Sequence, residues 1–330
     1  MRFLVTGGAG YIGSITTRAL LDAGHECVVL DTLERGHAQA VDARARLVVG
    51  GVGDRTALAE ALPGCDAVMH LAGYIEVAES VAEPQKYFRV NAIEPLIMLD
   101  EMRLHGVDAL VFSSTAAVYG EPESVPIRED ARTLPVNPYG ASKLAFEETL
   151  EGCRGDAGIR SIRFRYFNVG GAWPDGSMGE AHDPETHIIP RVLGALLSGQ
   201  DRFEVFGDDY PTPDGTCVRD YIHVLDLALA HRLGLEALVG GHAGGVYNLG
   251  NGHGYSNLEV VRTCAEVAGK DVAIDVGPRR PGDPAVLVAS ADKARGELGW
   301  APSRGELRDI IGDAWNWHTS QALASEHLPG

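Results

Sequence analysis

Seven residues, Gly7-Gly8-Ala9-Gly10-Tyr11-Ile12-Gly13, constrain this chain more than any other feature. They follow the apolar run at residues 2–6 and open a segment, residues 12–23, in which Ile15, Ala19 and Leu20 recur at helical spacing before Gly24 supplies a C-cap. The pattern satisfies G-x-x-G-x-x-G and, through Gly8, also G-x-G-x-x-G. A strand feeding a tight turn and a helix needs glycine where the backbone approaches a pyrophosphate. The helix N-terminus then offers free N–H groups and the positive end of its dipole to the anion. With 41 glycines in 330 residues such a pattern arises by chance, so its context carries the argument. Asp31 stands 18 residues after Gly13, at the end of the second apolar run, where a carboxylate accepts hydrogen bonds from an adenosine ribose diol and repels a 2′-phosphate. NAD is the expected cofactor over NADP, and Arg35 nearby reads as a solvated loop charge.

Short apolar runs at residues 2–6, 27–30, 46–49, 67–70, 109–112 and 161–164 each precede a turn or a helix-like stretch. That alternation predicts an α/β fold, a Rossmann-like doubly wound parallel sheet with helices on both faces. After Asn168 the composition shifts to Gly, Pro, Asp and Trp over residues 170–184, which marks a domain change. Residues 223–238 read as a helix and 246–249 as a strand returning to the sheet. The expected division is an NAD-binding domain of residues 1–170 plus about 220–252, and a smaller C-terminal substrate domain of 171–219 and 253–330.

Charge and cysteines narrow the setting. With 28 Lys+Arg against 46 Asp+Glu the net charge is −18, and no basic run offers a footprint for nucleic acid or an anionic membrane. No run of about 18 apolar residues predicts a transmembrane helix, and the first residues lack a signal-peptide pattern. Cys27, Cys65, Cys153, Cys217 and Cys264 are odd in number without C-x-x-C, which reads as reduced thiols of a cytoplasmic protein. His182, His187 and His223 are not at metal-ligand spacing, so no metal is expected. The four tryptophans read as packing, and the apolar face of residues 93–102 as core or part of a dimer-forming helix pair.

Tyr139 and Lys143 form the second constellation. Asn137-Pro138 reads as an N-cap with Pro at the first helical position, so Tyr139 and Lys143 fall at i and i+4 on one face. A phenol is a poor base at neutral pH. An ammonium about 5 Å away at an effective dielectric of about 20 is worth roughly 3 kcal/mol toward the tyrosinate, and a nicotinamide cation adds to it. Downstream of a dinucleotide fingerprint and the run Leu110-Val111-Phe112-Ser113-Ser114-Thr115, the pair reads as catalytic.

Together these residues resemble the extended short-chain dehydrogenases/reductases, and nearly end to end the UDP-galactose (UDP-glucose) 4-epimerase branch. The motifs carrying the resemblance are Thr6-Gly7-Gly8-Ala9-Gly10-Tyr11-Ile12-Gly13-Ser14, Ser113-Ser114-Thr115-Ala116-Ala117-Val118-Tyr119-Gly120 and Pro138-Tyr139-Gly140-Ala141-Ser142-Lys143. Arg165-Tyr166-Phe167-Asn168, Gly215-Thr216-Cys217-Val218-Arg219-Asp220-Tyr221-Ile222-His223-Val224 and Arg279-Arg280-Pro281-Gly282-Asp283 complete them. The resemblance implies interconversion of UDP-glucose and UDP-galactose by transient oxidation at sugar C4, with NAD retained and no net oxidation. It makes Tyr139 the base for the 4-OH, Lys143 the group that lowers its pKa and holds the nicotinamide ribose, and Thr115 a partner of the reacting oxygen. It further implies cofactor contacts at Gly7, Gly10, Tyr11, Ile12, Gly13, Asp31, Leu71, Ala72, Gly73, Asn91, Ser113, Tyr139, Lys143 and Tyr166. Arg219 and Arg280 would clamp the diphosphate, Asp283 and Phe206 would meet ribose and uracil, and Asn168 and His187 the nucleotide sugar. A homodimer is the implied assembly.

Ala116-Ala117 separates this chain from sugar-nucleotide dehydratases, which resemble it but carry an Asp-Glu pair there; methyl groups transfer no protons. Three departures from the family pattern stand out. Gly50-Gly51-Val52-Gly53-Asp54 displaces the Asp that meets adenine, and Leu71-Ala72-Gly73-Tyr74-Ile75-Glu76 has no Lys near the cofactor phosphates. Leu287 lies where room beside the sugar C2 substituent is set. The alternatives are therefore a 4-epimerase of a modified nucleotide sugar, such as a UDP-N-acetylhexosamine or UDP-uronate, and a non-catalytic NAD sensor on the same fold.

Overall fold

The computed structural model describes residues 1–154, 158–280 and 283–326. Along the first half run β1 (Arg2–Thr6), α1 (Tyr11–Asp22), β2 (Glu26–Asp31), β3 (Arg46–Val49), α2 (Arg55–Ala61), β4 (Ala67–His70), α3 (Val77–Ala82), α4 (Pro84–Phe88), α5 (Glu94–Leu104), β5 (Ala109–Thr115), α6 (Pro138–Gly152) and β6 (Arg160–Tyr166). The second half runs β7 (Asn168–Gly170), α7 (Ile188–Leu197), β8 (Arg202–Phe206), β9 (Val218–His223), α8 (Val224–Val239), β10 (Gly245–Leu249), β11 (Gly254–Ser256), α9 (Asn257–Ala268), β12 (Ala273–Gly277), β13 (Val286–Leu287), α10 (Asp292–Leu298) and α11 (Leu307–Glu326).

Seven strands pair in the order β10-β6-β5-β4-β1-β2-β3, each pair parallel. Both faces are covered because successive residues of each strand are apolar and point opposite ways. Phe3, Val5, Val29 and Val111 meet Leu20, Leu227, Ala230 and Leu235 on one side. Leu4, Val28, Val68 and Leu110 meet Leu58, Met98, Met102 and Phe146 on the other. Each such side chain contributes roughly 1.5–3 kcal/mol by leaving water, which is why these runs end as central strands. The sheet is the doubly wound Rossmann-like one expected. Its winding reverses between β1 and β4, which opens a crevice at the carboxyl ends of the strands.

After β6 the chain leaves this sheet. β7 pairs with β9, which also carries β11 and β13, while β8 pairs in parallel with β12. Val192 and Leu193 of α7, Val260 and Val261 of α9, and Ile310 and Ile311 of α11 close a separate core around these short sheets. α8 and β10 make the return to the large sheet, with β10 in register on β6. Of the apolar face at residues 93–102, Met98, Leu99 and Met102 are core, whereas Ile93 is 57% and Leu96 41% exposed. No helix among the described residues is long and apolar enough to cross a membrane.

Candidate active site

The glycine loop is crowded on one side and open on the other. Gly7 adopts φ +72°, and a Cβ there would stand 2.7 Å from the Ala72 nitrogen. A Cβ at Gly13 would stand 2.1 Å from the Gly7 carbonyl oxygen, so α1 can start over the loop only with glycine there. Gly10, the N-cap of α1, is different: its Cβ would meet only Gly7 O, at 3.4 Å. The loop therefore leaves a cradle at Gly10 beside the unpaired N–H groups of the first turn, which fits a pyrophosphate. Asp31 buttresses it, accepting from Ala9 N at 2.9 Å and from Leu33 N at 2.8 Å. The side chains of Tyr11 and Ile12 turn away from the cradle. The Tyr11 phenol donates to the Gly171 carbonyl at 2.6 Å, and Ile12 packs into the core, which leaves their backbone to the cofactor.

Opposite the loop, Leu71 N donates to Thr6 O at 3.1 Å and Ala72 N to Thr6 Oγ1 at 3.4 Å. Gly73 passes so close to α6 that a Cβ would lie 3.2 Å from Lys143 Nζ and 2.6 Å from Asn91 Oδ1. Asn91 sits in a π-helical turn, Arg89–Ile93, and clamps that backbone: Oδ1 accepts from Tyr74 N at 2.9 Å, while Nδ2 donates to Tyr74 O at 3.0 Å and Ser142 Oγ at 3.1 Å.

Asn137 caps α6 as its sequence implies, accepting from Gly140 N at 2.9 Å with Pro138 next. Gly140 lets α6 sit directly on the 3-10 turn Ala116–Val118; a Cβ there would be 2.6 Å from Ala117 O. This packing sets the Tyr139 phenol beside the Thr115 hydroxyl at the end of β5. Thr115 Oγ1 also accepts from Ala117 N at 3.1 Å. Lys143 is 3% exposed and donates to the Ser113 carbonyl at 3.2 Å. Burial lowers its pKa from 10.5 to about 8.

One sequence expectation does not hold in the protein alone. Burial raises the Tyr139 pKa, the Thr115 hydroxyl is what pulls it back, and Lys143 is not among the groups acting on it. At i and i+4 the two side chains share one face of α6, yet the ammonium is drawn beneath β5 to Ser113. The positive charge that would favour the tyrosinate must then come with the oxidised nicotinamide ring.

A histidine that no motif announced supports this centre. His231 on α8 is fully buried, its Nδ1 lies 2.9 Å from Leu227 O, and burial lowers its pKa to about 4. Because a carbonyl only accepts, Nδ1 carries the hydrogen and Nε2 accepts from Ser113 Oγ at 3.1 Å. Ser113 in turn lies beside the Tyr166 phenol. A buried ion pair braces the same strands: Arg165 reaches Glu147 through Nε at 3.0 Å and a terminal nitrogen at 2.6 Å, and Ser114 donates to Glu147.

At the far end of the crevice the expected substrate residues pair with one another. Arg219 of β9 donates to the Asp283 carboxylate and, at 2.8 Å, to Val218 O. The Arg280 guanidinium lies 4.3 Å over the Phe206 ring. β13 sets Leu287 beside Arg219. Asn168 opens β7 opposite Tyr221, and His187 is the N-cap of α7. Pro281 and Gly282 of that motif lie outside the described residues. Asp54 is the N-cap of α2, its Oδ1 accepting from Thr56 N at 2.9 Å. Arg35 donates to Asp183 O at 2.8 Å and faces Glu76 and Glu79 at 3.7 and 3.8 Å, so it is a paired loop charge rather than a phosphate ligand.

A glycine cradle, a carboxylate at the end of β2 and a Tyr-Lys-Thr centre at the end of β5 define a nicotinamide-dependent enzyme of hydroxyl and carbonyl chemistry. The chain belongs to the NAD dependent epimerase/dehydratase family, whose model matches residues 3–250, and its cofactor is NAD. It is 47% identical to the UDP-glucose 4-epimerase of Lacticaseibacillus casei over 96% of this chain and 97% of the relative. It superposes with TM-score 0.92 on the Brucella ovis UDP-glucose 4-epimerase in complex with NAD, at 42% identity over 95% of this chain and 97% of that one. With the Bifidobacterium longum UDP-glucose 4-epimerase in complex with NAD⁺ and UDP the TM-score is 0.91, at 37% identity over 98% and 99%.

Proposed function

We propose that the chain is an NAD-dependent epimerase that interconverts UDP-glucose and UDP-galactose at sugar C4. The observation that carries the reading is the Tyr139 phenol set beside the Thr115 hydroxyl at the end of β5, with Lys143 beneath it and Ala116 and Ala117 directly following. NAD⁺, when bound, would supply the hydride acceptor and donor that chemistry at C4 needs. Tyr139 removes the 4-OH proton, and Thr115 orients the oxygen that loses it. Lys143, one N–H spent on Ser113 O, keeps two for the nicotinamide ribose. The two positions directly after Thr115 offer no carboxylate to drive elimination of water, which favours epimerisation over dehydration.

The large sheet with its helices holds NAD, and the smaller sheets around Arg219, Arg280, Asp283 and Phe206 hold the UDP-sugar. Arginine suits the diphosphate because its planar fork donates two parallel hydrogen bonds. For the nucleotide to bind, Arg219 must share or release Asp283, and Arg280 must leave one face of Phe206 for uracil. The exposed apolar residues Ile93, just before α5, and Leu96, on it, suit a homodimer contact, and five free cysteines suit a reducing cytoplasm. Incubation with UDP-galactose, its N-acetyl analogue and a UDP-uronate, with product identification, tests the reading. Turnover of the unmodified hexose supports it; turnover confined to a modified sugar replaces it with the alternative that Leu287 leaves open.

A further inference from the structure

The connection between β7 and α7 gathers four side chains that the chemistry at Tyr139 does not use as a group. One donor atom each from Glu180, His182, Glu185 and His187 lies within 4.8 Å of all the others. His182 Nδ1 is 2.9 Å and His187 Nδ1 2.8 Å from the same Glu180 oxygen, Oε1. Glu185 closes the ring, with Oε1 3.0 Å from His187 Nδ1 and Oε2 3.9 Å from His182 Nδ1. In sequence the two histidines are five apart and match no ligand motif, so the spacing predicts no metal; the fold nonetheless brings their rings to 5.5 Å between centroids.

The backbone beneath this ring is fixed from outside. Trp317 Nε1 donates to Glu180 O at 2.9 Å, Arg35 to Asp183 O at 2.8 Å, and His37 Nε2 lies 3.2 Å from Ala181 O. His318 on α11 faces both carboxylates. Glu180, the floor of the ring, has a side chain 7% exposed, whereas those of Glu185, His182 and His187 are 20%, 27% and 43% exposed, so the ring is a cup with an entrance. In the protein alone a proton bridges the ring: burial works against the charge on His187, but its hydrogen bonds to Glu180 and Glu185 hold the imidazole protonated, and a cation would have to displace that proton. With it gone, the two carboxylates leave a local charge of −2, one of them held away from water, in a chain already at −18. Two imidazole nitrogens and two carboxylate oxygens are the donor set of a borderline divalent cation. Ligands about 2.0–2.2 Å from a tetrahedral centre stand roughly 3.4 Å apart. The four separations here bracket that value.

We propose that Glu180, His182, Glu185 and His187 form a four-coordinate site for a divalent first-row cation, zinc being the best match in donor type. The cation would be structural. His182 packs edge-on against Tyr11 of the glycine loop, with ring centroids 6.4 Å apart, and His187 stands at the N-cap position of α7. An ion in the ring therefore ties the dinucleotide loop to the start of the substrate segment through Nδ1 of each imidazole, leaving Nε2 of His187 on the outer side of its ring.

The test uses the NAD-loaded protein after chelator treatment, titrated with Co²⁺ as a spectroscopic stand-in for zinc, with Zn²⁺ competition and thermal unfolding alongside. The expected result is one equivalent of Co²⁺ with the intense visible band of a tetrahedral ion, displaced by Zn²⁺, and a higher Tm. His182→Ala and Glu185→Gln should each weaken binding by more than about 100-fold, the upper end of what an outer partner of a metal ligand costs. A titration of wild-type protein that never saturates, or gives no tetrahedral band, overturns the proposal without recourse to any variant. Binding that survives both substitutions places the ion elsewhere and overturns it equally. None of these readouts depends on which sugar is turned over.

Discussion

The glycine loop makes two roles separable by one methyl group each. At Gly13 an alanine Cβ would stand 2.1 Å from Gly7 O and 2.7 Å from Gly8 Cα, whereas non-bonded carbon contacts settle near about 3.5–4.0 Å. The first turn of α1 must then move by about 1 Å or more, an overpacking cost in the upper part of the usual range, about 2–3 kcal/mol, of which the helix propensity of alanine returns about 1 kcal/mol. Gly13→Ala should lose about 1–2 kcal/mol of stability, measured by thermal or denaturant unfolding of cofactor-stripped protein. At Gly10 the only neighbour is Gly7 O at 3.4 Å, and φ is −82°, which alanine adopts freely. Gly10→Ala should leave unfolding within about 1 kcal/mol of wild type yet put its methyl where the pyrophosphate approaches. A misfit of about 1–3 kcal/mol there lowers NAD affinity about 5- to 140-fold, read by calorimetric titration. Gly10→Ala protein that binds NAD as tightly as wild type, or Gly13→Ala protein that unfolds where wild type does, refutes the geometry argued for the cradle.

Other outcomes follow from the same packing. Lys143 has its pKa lowered to about 8, so its charged form is disfavoured in the folded state. The penalty is present in full below about pH 8 and fades as pH climbs toward 10.5, where the unfolded lysine also loses its proton. Lys143→Met should therefore stabilise the fold at pH 7 by about 1–3 kcal/mol, by a margin that shrinks above pH 8, while turnover collapses. A Met variant less stable than wild type at pH 7 would show that the Ser113 hydrogen bond outweighs the burial cost. His231→Leu leaves Ser113 without its acceptor and should lower kcat by about tenfold with little change in KM, an effect largely absent when Ser113 is already Ala. Additive effects of the two substitutions would disconnect them. Leu96→Glu places a charge on the exposed apolar edge of α5 and should shift a dimer to monomer in sedimentation analysis; an unchanged sedimentation coefficient places the assembly contact elsewhere.

Local features were legible in the sequence and long-range pairings were not. The glycine loop, the Asn137 cap and the i, i+4 placement of Tyr139 and Lys143 all depend on neighbours within a turn or two, and each stands where its spacing implies. The Tyr139 electrostatics were misjudged because spacing fixes where two Cα atoms lie, not where a four-carbon stem carries its ammonium. His231, Glu147 and Arg165 act across elements separated by 118 and 18 residues, and a lone His in an apolar helix has no pattern to betray it. The smaller sheets were equally opaque: β7 is three residues long and finds its partner β9 some fifty residues on. The pairing of Arg219 with Asp283 belongs to the same class.

The most direct test of the account follows the hydrogen at C4. UDP-galactose carrying deuterium at that carbon, turned over by the NAD-loaded protein in ordinary water, should yield UDP-glucose that keeps the deuterium at C4. The Tyr139→Phe variant should retain its NAD and lose turnover by about 10²–10⁴-fold, the usual worth of a positioned base. Deuterium washed out to solvent, or Tyr139→Phe protein as active as wild type, would contradict a hydride removed and returned at a centre where Tyr139 handles only the proton.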